Sequence, residues 1–124
     1  MNLEKVIFCF FIVLAATLNF GFVYGDATDP NHHHLWEFFA AFVVNVIATA
    51  LKFGDRTQIG AIHLATSLVA VLQLAAAALV WFFAPAGPLS EGTTVSIVSL
   101  SAGAALANLV SVVILIAETI TLRR

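Results

Sequence analysis

Charge is scarce in this chain. Only 10% of its 124 residues are Asp, Glu, Lys or Arg, while 61% are hydrophobic. A soluble domain carries roughly a quarter charged residues, so the composition is that of the membrane class. Cysteine is nearly absent: Cys9 stands alone, which excludes an intrachain disulfide and leaves the thiol to act as a small apolar group. The five Lys and Arg form no basic patch, which excludes a nucleic-acid footprint. Gly-x-Ser-x-Gly, His-Glu-x-x-His, Cys-x-x-Cys and a phosphate-cradling glycine loop are all missing. No pair of carboxylates is placed for acid–base work. The expectation is a protein that is not an enzyme and that uses no cofactor.

What the chain does have is four long apolar runs. They predict spans over about residues 5–24, 35–53, 59–83 and 95–122, since a helix needs about 20 residues to cross the hydrocarbon. Backbone groups in lipid must be paired internally, so the spans are helices. The fold expected is an all-α four-helix bundle occupying residues 1–124 as a single integral membrane domain. Lys5 precedes the first run, Lys52 and Arg56 lie between the second and third, and Arg123 and Arg124 follow the fourth; the other two breaks hold no Lys or Arg. The positive-inside rule then puts both termini in the cytoplasm. Asp26, Asp29, Glu37 and Glu91 fall on the outer face, an asymmetry suited to a bacterial inner membrane with anionic lipid within. Val23-Tyr24-Gly25 before Asp26 has the look of a signal-peptide cleavage site, but the preceding run is about 19 residues, longer than a signal core, and is expected to remain as the first span.

The breaks carry their own signals. Gly54 suits a left-handed helix end. Asp55 and Gln58 have the spacing of a capping box for the third helix. Asp29-Pro30 reads as an N-cap with proline in the first turn of the second helix. Pro85 and Pro88 end the third helix, with Gly87 and Gly92 loosening the loop. Tyr24, Trp36 and Trp81 fall at one set of helix ends, as amphipathic rings do at a headgroup boundary.

Several polar residues sit inside the apolar runs. Asn45, Gln73 and Asn108 are expected at one level near the bilayer centre. They would form either an interhelical hydrogen-bonded clasp or a polar constriction on an ion path. His63, Thr66, Ser67 and Gln73 share one helical face, with Ala70 between them. That stripe either lines water or turns into the bundle. Glu118 lies at a depth close to His63 and Lys52. With Lys52, Arg56 or His63 as partner it would be an interfacial ion pair or a cytoplasmic ion or proton site. Ser99, Gly103, Ala107 and Ser111 recur every four residues as a ridge for close helix packing, within or between protomers. His32, His33 and His34, near Asp26, Asp29 and Glu37, are either a solvated loop cap or a metal site.

The segment Lys52-Phe53-Gly54-Asp55-Arg56-Thr57-Gln58, the run Leu64-Ala65-Thr66-Ser67-Leu68-Val69 and the end Ala117-Glu118-Thr119 resemble a family of small four-span proteobacterial membrane proteins of unknown function. The resemblance implies a multi-pass bacterial inner-membrane protein. Three functional expectations follow. The first is an oligomerising or accessory subunit of a larger membrane assembly linked to ion transport or electron transfer. The second is a homo-oligomeric ion channel or transporter with the amides at its constriction. The third is a periplasmic metal-responsive protein using the His32–His34 loop. The partners expected are the lipid bilayer and either further copies of the chain or a larger complex.

Overall fold

The computed structural model describes residues 3–55 and 57–122; Arg56, Arg123 and Arg124, which the sequence reading used, lie outside them. The chain forms four long helices: α1 Leu3–Val23, α2 Leu35–Lys52, α3 Gln58–Phe82 and α4 Glu91–Leu122. Each is long and apolar enough to cross a membrane. Neighbours in sequence pack together, and α4 closes onto α1. An even number of helices brings the start of α1 and the end of α4 to one end of the bundle, where Lys5 Nζ lies 3.1 Å from Glu118 Oε2. This termini end also holds the α2–α3 hairpin; the two longer loops form the loop end.

The bundle buries polar side chains among a larger set of apolar ones such as Ile12, Leu74 and Ile97, and its outer surface is apolar. Asn19, Asn45, Asn108, Ser101 and Ser111 are fully buried, while Trp36 is 83% and Phe82 80% exposed. Such a molecule is stable only where its surroundings are as apolar as its surface. In lipid the hydrophobic effect no longer drives helices together, so close packing must. Six alanines supply it: Ala15, Ala41, Ala48, Ala70, Ala77 and Ala104 have no exposed surface, and their short side chains let the backbones approach. Gly103 acts in the same way, because the Gln73 amide of α3 lies where its Cβ would be. Ala107 and Ser111 of the ridge are also buried, whereas Ser99 faces outward.

Two caps differ from the sequence reading. The N-cap of α3 is Thr57, whose hydroxyl accepts from Gly60 N–H at 2.9 Å. Asp55 lies two residues earlier and accepts from the backbone N–H and hydroxyl of Thr57, an Asx turn in place of a capping box. Those two bonds hold the Asp55 carboxyl below its ordinary range, and Lys52 adds to the effect. Asp29 caps a separate 3-10 turn, Pro30–His32, and α2 begins only at Leu35. Gly92, expected to loosen the loop, lies in the first turn of α4. Gly54 is left-handed with φ +98°, and α3 ends at Phe82, before Pro85.

Candidate functional site

The buried polar side chains form a column along the bundle axis. Contacts between helices fix its register. Lys52 lies over the Phe8 ring, 4.4 Å from its centre, and Phe38 packs on Phe22; midway between these pairs, Asn45 faces the level of Ala15. Ser111 meets His63 and Thr66, while Gly103 meets Gln73. Asn108 therefore sits about five residues, or roughly 7 Å, nearer the termini end than Gln73. The three amides expected in one plane occupy the middle of the bundle but climb it in steps.

Nor do they clasp one another. Asn45 Nδ2 donates to Ala41 O of its own helix at 2.7 Å. Its Oδ1 has no protein partner, and neither has either polar atom of Asn108. Asn19, which the sequence reading passed over, is fully buried with both amide atoms unpartnered. Ser67 Oγ, Ser101 Oγ and His63 Nε2 complete the set. All four helices contribute. From Phe8, which touches His63, to Asn19 is eleven residues of α1, about 16 Å of axial rise. A buried polar atom without a partner costs about 1–3 kcal/mol, so a run of them must be offset by something the bundle gains.

Aromatic side chains close both ends of the column. At the termini end the Phe8 ring meets His63 edge-on, centres 5.0 Å apart. At the loop end Phe22, Phe38 and Trp81 form a cluster with ring centres 5.3–6.0 Å apart. The stripe of α3 thus faces its own bundle: His63, Ser67 and Ala70 are buried, and Thr66 and Gln73 half-buried.

Beyond Phe8 a cleft of about 860 Å³ opens at the termini end, lined by Glu4, Lys5, Phe8, Lys52, Asp55 and Glu118 among others. Glu118 pairs here with Lys5 and not with Lys52 or His63, while Arg56, the other partner the sequence suggested, lies outside the described residues; Lys52 Nζ instead lies 3.5 Å from Asp55 Oδ2. The sequence placed Lys5 before the first span and missed it, because depth along separate helices does not say which helices are adjacent.

The histidine loop is organised by backbone rather than for metal. His32 Nδ1 accepts from Asp26 N–H at 2.7 Å. Gly25, left-handed at φ +105°, lies against the His32 ring, where a Cβ would come within 2.8 Å of Nδ1. His33 is buried, with Nδ1 against Phe22 O and Nε2 2.8 Å from Asp26 O. His34 is exposed at the N-cap of α2 and makes no side-chain cap bond. Among the described residues no three His, Cys, Asp or Glu side chains are grouped to hold a metal ion, so the His32–His34 metal reading has no such cluster to rest on. Asp26 accepts from Thr28 N–H and its hydroxyl, and these bonds hold its carboxyl below the ordinary value.

A family description matches residues 32–119 of this sequence, most of its length. The chain belongs to a family of unknown function, DUF6394. The DUF6394 match takes in all three segments on which the resemblance rested. It includes His33, Asn45, His63, Gln73, Asn108, Ser111 and Glu118, and leaves Lys5, Phe8 and Asn19 of α1 outside. No curated protein and no solved structure matches the chain.

Gly103→Ala is expected to leave the fold intact while moving Gln73. A Cβ there would lie 2.5 Å from Gln73 Oε1, the far end of a flexible side chain, and alanine favours the helix by up to about 1 kcal/mol. Thermal unfolding in detergent should be unchanged or slightly raised. A drop of several kcal/mol would mean that the Gln73 amide cannot give way.

Proposed function

We propose that this chain is a non-enzymatic multi-pass protein of the bacterial inner membrane, both termini cytoplasmic, whose own bundle interior conducts a small cationic species. One observation carries the reading: eight buried polar atoms without protein partners, drawn from all four helices, lie in a column between two aromatic seals. A packing core gains nothing from unpartnered amides, whereas a path for a hydrated ion needs donors and acceptors that the protein itself has not consumed. The constriction then belongs to each protomer and not to an axis between copies. The accessory-subunit expectation drew on the α4 ridge. Gly103, Ala107 and Ser111 are turned into the protomer, with Gly103 and Ser111 against α3, so the ridge supports packing within the chain.

The test is ion flux into sealed vesicles containing the purified protein, driven by an imposed potential and read with pH- and potassium-sensitive dyes. Flux well above that of protein-free vesicles is expected. Equal rates in the two preparations, at either polarity, would remove the proposal. Labelling of single cysteines placed in the hairpin and in the histidine loop checks the orientation.

A further inference from the structure

The hydrogen bonds around His63 settle which of its nitrogens is free. Thr66 Oγ1 donates to His63 O at 3.0 Å. Its only proton is thereby used, so in its 2.6 Å contact with Ser111 Oγ it accepts, and Ser111 donates. The Ser111 oxygen is left to accept from His63 Nδ1 at 3.1 Å. The ring is therefore the Nδ1–H tautomer, and the lone pair is on Nε2. That nitrogen is inside a residue only 1% exposed and has no protein partner. The bundle holds a buried base fixed in orientation and tautomer, next to the Phe8 seal.

The chemistry of this atom selects its ligand. A single imidazole nitrogen is a Brønsted base and a poor ligand for hard alkali cations, which prefer oxygen. A transition metal would need further donors, and no group of three exists among the described residues. Among the described residues, the charged groups that reach His63 are Lys5 of α1, Lys52 of α2, Asp55 of the hairpin and Glu118 of α4. Glu4, Lys5, Lys52, Asp55 and Glu118 are among the described residues that line the adjoining cleft.

Resting on the conduit reading, we propose that the conducted species is the proton and that it binds at His63 Nε2. Hydronium entering from the cleft past Phe8 loses one proton: its O–H bond breaks, an N–H bond forms at Nε2, and water is released. The imidazolium then carries the charge at the foot of the amide column. Ser111 is a positioning residue, since it holds Nδ1–H and so keeps Nε2 available.

The experiment pairs flux with ¹⁵N NMR of the histidine rings in the full-length protein, His63 being assigned by its loss in His63→Gln. The parent should carry protons down a pH gradient and show the neutral His63 ring as Nδ1–H, with the Nε2 signal moving as pH is lowered. His63→Gln should cut proton flux by about a hundredfold, the low end of what a positioned proton acceptor contributes. Ser111→Ala, a smaller change should the first variant fail to fold, should mix the two neutral tautomers and cut flux by less than His63→Gln does. Proton flux unchanged in His63→Gln, or a neutral ring found as Nε2–H, would overturn the assignment. Potassium flux without proton flux in the parent would also overturn it while leaving the conduit standing. No flux of either ion overturns the conduit and this inference together.

Discussion

Leucine in place of Asn108 is expected to stabilise the detergent-solubilised bundle and to stop flux through it. The two effects share one cause. Asn108 is fully buried and neither atom of its amide has a protein partner. Removing an unsatisfied buried polar group and filling its space with an apolar one of similar size relieves about 1–3 kcal/mol. The unfolding midpoint should therefore rise. The same leucine would break the column between Asn45 and the His63 level, and cation flux should fall to that of empty vesicles. An interhelical clasp predicts the opposite sign: leucine would then remove a bond and lower the midpoint. Asn45→Leu should raise it less than Asn108→Leu, because Asn45 Nδ2 already donates to Ala41 O and only Oδ1 is unpartnered. A loss of stability in Asn108→Leu, with flux intact, would return the amides to a structural role.

Much of this architecture is written in the hydropathy of the chain. The observed helices differ from the expected spans by one or two residues at most ends, and α4 starts earlier, at Glu91. That legibility has a physical source. The length of an apolar run must match the hydrocarbon thickness whatever the tertiary contacts are. Asn45, Gln73 and Asn108 were likewise visible, because an amide within an apolar run has to find the interior. By the same signal Asn19 was legible and was missed: it is the one amide of α1, as conspicuous there as Asn45 in α2. What the sequence could not supply is adjacency and register. Glu118 meets Lys5 only because α4 closes onto α1, and His63 meets Ser111 only because the α3–α4 register pairs them. The choice of Thr57 over Asp55 as helix cap is also a matter of backbone geometry, since both residue types are good caps.

The histidine loop provides the second large effect. His33→Ala is expected to destabilise the loop end by about 2–4 kcal/mol, from the loss of the ring's hydrogen bonding to the two carbonyls it bridges, a carbonyl left unsatisfied and a ring removed from the aromatic cluster. Phe22 O belongs to the last turn of α1, where helix carbonyls have no partner within the helix. His33 bridges it to Asp26 O, and its ring lies 5.6 Å from that of Phe22. Both ring nitrogens face carbonyl oxygens, so a doubly protonated ring donates two bonds here and a neutral ring one. The loss should show as faster amide exchange in residues 24–34, faster proteolysis there and a lower unfolding midpoint. His34→Ala is the contrast: that side chain is exposed and caps nothing, so its removal should stay within about 0.5 kcal/mol. The comparison separates two accounts of three consecutive histidines. A metal site would lose bound metal with each ligand removed, so His33 and His34 would have comparable effects on metal retention and metal-dependent stability. A backbone lock concentrates the effect in His33, whose ring nitrogens hold the end of α1 to the loop that leads into α2.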